Sequence, residues 1–277
     1  MFQPKAYDIS LQMKITDPFS ISPNPNSLFI TPNLKAVLYQ ARGTINRRQG
    51  LVALLADAGM GKSTIMRFLY SEFDARDDVI ATFIPTPQFP SLFAMMKSIS
   101  ADFGIEPRRS LIEQTDLLQE FLALQYSEGR NVVLFIDEAQ LLTNTILEGI
   151  RGLLNFETNN AKLIQVVLAG QLELKKRLDA ERNKAIKSRI HSYALLNPLT
   201  DIEMRQMIEY RCKVAEIVSP FTTEALDRIY EITKGIPRHV LKICDKAFDY
   251  MHLNEADKVT IDYIDPAAED AAVEIAA

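Results

Sequence analysis

An apolar run that ends in a glycine loop is the feature that most constrains the fold of this chain. The stretch is "LVALLADAGMGKST", residues 51–64, and from Ala56 to Ser63 it fits the pattern A/G-x-x-x-x-G-K-S/T. The backbone N–H groups of such a loop turn inward around a phosphate, which requires unusual dihedrals and therefore glycine, here Gly59 and Gly61. A helix that begins directly after the loop presents its positive end to the same phosphate. The stretch therefore predicts a strand, a phosphate-binding loop and a helix, in that order.

The loop side chains have separate functions in this prediction. Lys62 reaches the β- and γ-phosphate oxygens of a nucleotide, and the hydroxyl of Ser63 holds Mg²⁺. Ala56 stands where glycine is more usual, but it precedes the tightest turn, so its methyl group should cost about 1 kcal/mol or less. The residues expected to contact the nucleotide are Ala58, Gly59, Met60, Gly61, Lys62, Ser63 and Thr64.

A second acidic motif, "VVLFIDEAQ", follows about 75 residues downstream and ends an apolar run in Asp137 and Glu138. Such a pair can be a plain polar strand end that caps a helix. Beside a phosphate-binding loop, however, Asp137 is expected to bind Mg²⁺ through water, and Glu138 to orient and polarise the attacking water.

Five nearly continuous apolar runs predict a parallel sheet that is covered on both faces. They span residues 51–56, 79–84, 132–137, 163–169 and 193–199, and helical periodicity fills the gaps between them. From residue 200 the pattern changes to three helical stretches that begin with a capping box, "TDIE", and Gly235 is placed to end the second stretch. We therefore predict an N-terminal strap and linker (1–33), an α/β nucleotide-binding domain (34–198), a helical lid domain (199–264) and an acidic tail (265–277), frayed or forming a short helix.

Composition excludes several classes of protein. The net charge of −5 excludes a dominant basic surface but not a local basic strip. No run of 18 apolar residues occurs, and the first residues do not resemble a signal peptide, so we expect a cytoplasmic protein without a membrane span. Two thiols and three imidazoles lack metal-ligand spacing, and we interpret them as reduced, buried cysteines and structural histidines: Cys212, Cys244, His191, His239 and His252.

With both motifs in hand, the chain resembles the AAA+ ATPases, and more narrowly the branch that includes the ExeA/GspA secretion ATPases and the transposition regulators TnsC and MuB. The stretches that carry the resemblance are "DPFSISPNPNSLFITPN", "LFIDEAQLL", "LLNFET", "VVLAGQLEL" and "GIPRHVLKICDKA". The resemblance implies a five-stranded sheet in the order 5-1-4-3-2 with a C-terminal helical lid. It also implies ATP and Mg²⁺ as cofactors.

The resemblance assigns three further residues. Gln171 matches the polar sensor at the end of the fourth strand, and Arg238, in "GIPR", matches the lid arginine that contacts the phosphates of the same protomer. Arg189, just before the fifth strand, matches the arginine finger that reaches the neighbouring subunit's γ-phosphate. Its rivals are close in sequence, and a plain solvated basic helix remains an alternative; the rivals are Arg182, Lys184 and Lys187. In the strap, Phe19 and Leu28 are candidates for an apolar cover over the adenine.

A finger supplied by a neighbour predicts a homo-oligomeric ring or filament that depends on nucleotide. For the partner we consider first a DNA-associated switch of the TnsC/MuB type that binds double-stranded DNA and recruits a transposase or another DNA enzyme. Lys97, Arg108 and Arg109 are candidates for DNA contact, although a solvated helix face explains them equally well. The alternatives are an ExeA/GspA-type ATPase that serves a membrane-associated secretion or envelope-assembly system, or a regulatory signalling ATPase.

Overall fold

The structure, a computed structural model, describes residues 17–273. The predicted strap and the predicted tail therefore lie partly outside the described residues. The described chain forms two compact units, residues 23–198 and residues 199–273 together with residues 17–22. No helix in residues 17–273 is long and apolar enough to cross a membrane.

The first unit is built on a five-stranded sheet. Its strands are β1 (Leu51–Leu55), β2 (Val79–Ile84), β3 (Asn131–Ile136), β4 (Ile164–Gly170) and β5 (Ile190–Leu195). All neighbouring strands are parallel, and their order is β2-β3-β4-β1-β5. This is the predicted order, and it confirms the P-loop α/β fold. Every residue of β1, β3 and β4 is buried, as expected of strands that helices cover on both faces.

Seven α-helices of the described first unit connect and flank the strands. They are α1 (Pro32–Asn46), α2 (Lys62–Asp74), α3 (Leu92–Asp102), α4 (Leu111–Ser127), α5 (Asn144–Leu153), α6 (Leu172–Asp179) and α7 (Lys184–Lys187). A single 3₁₀ turn, Pro25–Ser27, interrupts the proline-rich segment before α1 and lies beside α2.

The prediction for the last strand was wrong in its bounds. Residues 193–199 were expected to form it, but β5 begins three residues earlier, at Ile190, and ends at Leu195. Hydropathy selected the wrong window because β5 is an edge strand in which only Ala194 is buried, whereas Leu196 and Leu199 are buried without belonging to the sheet.

The second unit is helical, with α8 (Asp201–Val214), α9 (Thr223–Thr233), α10 (Pro237–Leu253) and α11 (Ile264–Asp270). The capping box is present, since the Thr200 hydroxyl accepts from the Glu203 N–H while the Glu203 carboxylate accepts from the Thr200 N–H. Gly235 has φ +75°, directly after the C-cap of α9, so the predicted helix stop is confirmed.

The acidic tail was predicted to be frayed or to form a short helix, and its first residues form the helix α11, which begins at Ile264. The apolar side chains of this segment are buried: Ile264, Ala267 and Ala268 within the helix, then Ala271 and Val273. Alanine allows the close approach of α11 to α10, so the helix is held by packing and not by propensity. The last four residues, 274–277, lie outside the described residues.

Candidate functional site

The phosphate-binding loop lies between the carboxyl end of β1 and the first turn of α2. Gly59 and Gly61 have φ of +79° and +81°, a region that glycine enters without steric cost. A Cβ built on Gly61 would meet nothing within 4 Å, so the loop leaves open space there. Gly61 caps α2 without a side-chain hydrogen bond, and the first turn of α2 contains no acidic residue. The N–H groups of this 13-residue helix therefore point at a place suited to an anion.

The lysine of the loop is fixed at the mouth of this space. Lys62 is only 6% exposed, and its ammonium donates to the carbonyl oxygens of Ala56 and Asp57 at 3.0 and 2.7 Å. Ala56 itself is fully buried, and its N–H donates to the Gly170 carbonyl at 3.2 Å. The methyl group of Ala56 therefore packs into the end of the sheet, away from the turn that the glycines make.

The structure brings the two predicted metal-binding side chains together. Asp137 follows β3, is 3% exposed, and lies beside the Ser63 hydroxyl. Its Oδ1 accepts from the Glu138 N–H at 2.8 Å. Burial raises the pKa of Asp137, while the Ser63 hydroxyl, the Glu138 N–H and the Lys62 charge lower it in part. A buried carboxylate beside a hydroxyl and a phosphate-binding loop is a donor set that suits Mg²⁺.

The predicted general base is held by a residue that the sequence did not single out. Glu138 has φ +49° and ψ +36°, and its half-buried carboxylate accepts a hydrogen bond from the side-chain amide of Gln140. The oxygen of the same amide accepts from the backbone N–H of Gln171 at 3.2 Å. Gln140 therefore joins the predicted base to the predicted sensor position at the end of β4. The position of Gln140 two residues after Glu138 is visible in the sequence, but nothing in the sequence indicates that its side chain contacts Glu138 and Gln171.

A second residue that sequence reasoning missed is Arg177 on α6. Its guanidinium donates to the carbonyl oxygens of Gln140, at 2.7 Å, and of Leu142, and to Asn144 Oδ1 at 3.4 Å. The carbonyl of Arg177 in turn accepts from the side-chain amide of the buried Asn183 at 2.7 Å. Arg177 thus ties the loop after β3 to α6 and to the segment that follows α6.

The arginine-finger candidate lies at the amino end of the strands, opposite the phosphate-binding loop. Arg189 directly precedes β5, and the first residue of β5, Ile190, pairs with Leu51, the first residue of β1. The phosphate-binding loop begins after the last residue of β1, so the length of the strand, about 13 Å for four steps, separates it from this end. Arg189 donates to Asn155 Oδ1 at 3.0 Å.

The rival cations near Arg189 have different surroundings. Lys187 pairs with Asp179 at 2.9 Å, and Lys184 pairs with Glu181 at 3.1 Å on a fully solvated surface. Arg182 is exposed, and within residues 17–273 no ion pair or hydrogen bond of its side chain is recorded. Arg189 and Arg182 are therefore the two arginines to compare, and the assignment of the finger stays a prediction.

The predicted lid arginine lies in the second unit. Arg238 is exposed in the first turn of α10, just after Pro237 at the start of that helix. A cation at this end of a helix gains nothing from the helix dipole. Burial lowers the pKa of the neighbouring His239, and the charges of Lys242 and Arg238 lower it further. Its contact with phosphate stays a prediction.

The two strap residues predicted to cover the base lie in different units. The ring of Phe19 is 1% exposed and makes edge contacts with Phe221 and Phe248, at centroid distances of 5.5 and 5.6 Å. Its packing gives it a structural function within the second unit. Leu28 follows the 3₁₀ turn beside α2 and is half-buried. The contact of either residue with adenine stays a prediction.

Comparison with known proteins adds a family match. Residues 45–178 match a family model described as "AAA domain". The chain is 32% identical over 233 residues to general secretion pathway protein A of Aeromonas hydrophila. The aligned region covers 83% of this chain and 42% of that protein. The chain thus spans less than half the length of this relative.

Solved structures with the same fold share little sequence. The ORC2 protein of Aeropyrum pernix, solved as ADPNP and ADP complexes, superposes with a TM-score of 0.70 at 17% identity, over 92% of this chain and 71% of that one. Cdc6p of Pyrobaculum aerophilum gives 0.67 at 17% identity, over 92% and 70%. A RuvB mutant of Thermotoga maritima gives 0.60 at 18% identity, over 90% and 72%. At such identities the likeness establishes the fold alone.

Proposed function

The chain belongs to the AAA+ ATPases, in the branch similar to general secretion pathway protein A, and from this premise we propose that it hydrolyses ATP at subunit interfaces as an ATP-dependent oligomeric switch. The observation that carries the proposal is the glycine loop at the start of α2, with its buried Lys62, next to the buried Asp137 carboxyl group near Ser63. ATP and Mg²⁺ are the cofactors of this family, and the loop fits them, because it combines inward N–H groups, a lysine and a carboxylate–hydroxyl pair.

Different residues of one protomer bind the phosphates, hold the metal ion and activate the water. Lys62 and the N–H groups of the loop bind the phosphates, and Ser63 with Asp137 would hold Mg²⁺, which supplies charge neutralisation when bound. Glu138 orients the attacking water and accepts its proton, and Gln171 lies at the neighbouring strand end to contact the water or the γ-phosphate. Glu138→Gln should therefore bind ATP as the wild type does and lose about 10²–10⁴-fold in turnover.

The finger is supplied by a second copy of the chain. Arg189 precedes β5 and the phosphate-binding loop follows the neighbouring β1, so they lie at opposite ends of adjacent strands, and in this proposal the Arg189 of a protomer does not serve its own nucleotide. A second copy that presents this end to the loop places a guanidinium where γ-phosphate charge develops. Hydrolysis then depends on assembly, and ATP at the seam favours the assembled state.

A mixing experiment tests both halves of this arrangement. An Arg189→Ala protomer retains its own base, and a Glu138→Gln protomer retains its finger, so each alone should be inactive. Mixed in equal amounts, the second protein supplies Arg189 to the first, and turnover should partly recover. Recovery on mixing supports a finger in trans, whereas activity of Arg189→Ala alone would transfer the assignment to another residue.

The matched control for this experiment is Arg182→Ala. Arg182 is the second arginine of the same segment and has an exposed side chain. If Arg182→Ala is active alone while Arg189→Ala is not, position 189 is the finger. The opposite result would assign the finger to Arg182.

For the biological setting we favour a secretion or envelope-assembly system, because the identity to general secretion pathway protein A extends over most of this chain. In this proposal the oligomer acts on a membrane-associated partner. The test is co-purification of the chain with membranes from its host, with ATP and with the Glu138→Gln variant that retains ATP. Membrane association that needs ATP supports this setting.

A DNA-associated regulator of the TnsC/MuB type, recruiting a transposase, is the second candidate, favoured by cations on α3 and in the loop before α4. Lys97 lies over the ring of Phe93, and Arg108 is paired with Glu106 at 3.5 Å on the surface. Arg109 is exposed in the same loop. A filament repeats such cations, so a few per subunit can suffice to follow a phosphate backbone.

Fluorescence anisotropy with a labelled DNA duplex separates the two settings. Binding that requires ATP and weakens steeply with salt, and that Arg108→Ala and Arg109→Ala reduce, supports the DNA-associated candidate. The secretion candidate instead predicts that anisotropy stays unchanged at low salt with ATP present.

A further inference from the structure

The loop after β3 carries a side chain whose function the proposed hydrolysis does not yet include. Gln140 has two charged or polar partners, and one planar amide serves both: the nitrogen donates to the Glu138 carboxylate, and the oxygen accepts from the Gln171 N–H at 3.2 Å. The partners fix the orientation of the amide, because a backbone N–H only donates and a carboxylate only accepts. A flipped amide would lose both hydrogen bonds at once.

Two further features hold this amide in place. Arg177 donates to the backbone carbonyl of Gln140 at 2.7 Å, which fixes the residue from α6. Gly170, the last residue of β4, leaves the room that the amide occupies, since a Cβ there would lie 3.2 Å from the amide oxygen and 2.6 Å from a methyl group of Leu174. The amide is therefore positioned from the backbone of its own loop and from the end of the neighbouring strand.

We propose that Gln140 is a positioning residue for ATP hydrolysis, which holds the Glu138 carboxylate in a fixed place relative to Gln171 at the end of β4. This inference rests on the proposed function, because it assigns a support to the general base. A carboxylate at φ +49° on a short turn has no helix or strand of its own to fix it, and the amide of Gln140 supplies that fixation. A misplaced base costs turnover and leaves nucleotide binding intact.

Two substitutions separate the partners of the amide. Gln140→Leu removes both hydrogen bonds. Gln140→Glu, assayed at pH 8.5, keeps an oxygen for the Gln171 N–H but loses the donor to Glu138. We expect both variants to lose kcat by up to about 100-fold with KM for ATP near the wild-type value, because the loss lies in the orientation of the base. If Gln140→Glu retains wild-type kcat, the bond to Glu138 has no function and the inference is overturned.

The control is Gln119→Glu, which makes the same chemical change at an exposed position of α4, and it should leave kcat unchanged. Thermal unfolding of each variant identifies loss of folding. If Gln140→Leu does not fold, Gln140→Glu still decides the question, because it preserves the acceptor for β4.

A double-mutant cycle tests whether Gln140 acts through Glu138. In the Glu138→Gln background, Gln140→Leu should cause no further loss of the residual rate, because the group that it positions is gone. An equal loss in both backgrounds would overturn the inference. Failure of the proposed function can be distinguished from failure of this inference. If the wild type does not hydrolyse ATP, or if Glu138→Gln hydrolyses it at the wild-type rate, both the proposed function and the positioning function of Gln140 are wrong. If Glu138→Gln is inactive but the Gln140 variants are fully active, only the positioning function of Gln140 is wrong.

Discussion

Metal binding and burial have opposite effects on the charge of the Asp137 carboxyl group. Metal binding requires it charged and close to Ser63, whereas its position at the end of a buried strand disfavours charge and raises its pKa. A group whose pKa is higher in the folded than in the unfolded protein weakens stability as pH rises through that interval. As the pH rises towards neutrality, the folded protein without nucleotide therefore loses stability through this buried carboxyl group.

Asp137→Asn should consequently separate stability from activity. We expect its melting temperature without nucleotide to rise at pH 7, by about 2–4 °C for each kcal/mol recovered, and Mg²⁺-dependent hydrolysis to disappear. Calorimetry between pH 4 and 8 measures the first effect, and part of the decline in stability with rising pH should be absent from the variant. Asp116→Asn, an exposed change on α4, is the control. A lower melting temperature than the wild type at pH 7 would contradict the explanation by burial.

Among the elements, the connection between α9 and α10 depends on a single glycine. Gly235 has φ +75°, and a Cβ there would lie 1.9 Å from the backbone oxygen of Leu199, whose N–H donates to the Gly235 carbonyl at 2.9 Å. Two backbones meet at this point, so a methyl group has no side chain to displace. The turn that begins the lid helix of Arg238 is therefore determined by backbone packing as well as by dihedral preference.

Gly235→Ala should destabilise the chain beyond the conformational cost alone. The matched control is Gly104→Ala, since Gly104 has the same φ of +75° and a Cβ there would meet nothing within 4 Å. We expect the control to cost about 1–2 kcal/mol of unfolding free energy, from the left-handed conformation, and Gly235→Ala to cost clearly more. Denaturant unfolding of both variants measures the difference, and equal losses would show that the Leu199 backbone moves aside freely.

Arg177 and Gln140 both connect the segment between β3 and α5 to α6. Removing the Arg177 side chain leaves the carbonyls of Gln140 and Leu142 without this donor and weakens the attachment of α6 to the loop of the general base. Arg177→Ala should reduce stability by about 1–3 kcal/mol, since hydrogen bonds from a charged group are lost. Hydrogen exchange should accelerate at residues 139–144 and also at residues 181–187.

The control for this prediction is Arg76→Ala. Arg76 also donates to three side-chain oxygens, of Asp78 and Asn46, but it lies on the surface, where such pairs are worth about 0–1 kcal/mol. Fast exchange that is confined to residues 139–144, without an effect on residues 181–187, would mean that Asn183 does not transmit the change.

The sequence was sufficient to predict the elements that have a local hydropathy pattern. It was not sufficient where contacts between elements determine the structure. β1, β3 and β4 are continuous apolar runs because helices cover both faces, so hydropathy located them to within one residue. β5 lies at the edge and is half-exposed, which removed that signal. The small residues of α11 indicate fraying in isolation but suit close packing against α10.

The site follows the same division. The loop from Ala58 to Thr64 and the pair Asp137–Glu138 could be predicted because a phosphate-binding loop and an acidic strand end each have a local sequence pattern. Gln140 and Arg177 were not, since Gln140 contacts Gln171 after β4 and Arg177 contacts the loop after β3, in each case more than 30 residues away in sequence. A glutamine and an arginine at ordinary positions give no sequence signal that would distinguish them from solvated side chains.

At the scale of the whole molecule, the proposed finger makes the oligomeric state a consequence of the nucleotide. Arg189 and the phosphate-binding loop lie at opposite ends of the neighbouring strands β5 and β1, so one copy that presents its Arg189 to the loop of the next makes a head-to-tail contact, which repeats into a ring or a filament. Glu138→Gln with ATP and Mg²⁺ should therefore elute on size-exclusion chromatography as a larger species than the same protein without nucleotide, because hydrolysis does not dissociate the ATP-bound oligomer. Arg189→Ala should shift this transition to higher protein concentration while its ATP affinity as a monomer stays unchanged. A protein that elutes as a monomer under all these conditions and still hydrolyses ATP at the wild-type rate would rule out a site completed by a neighbour.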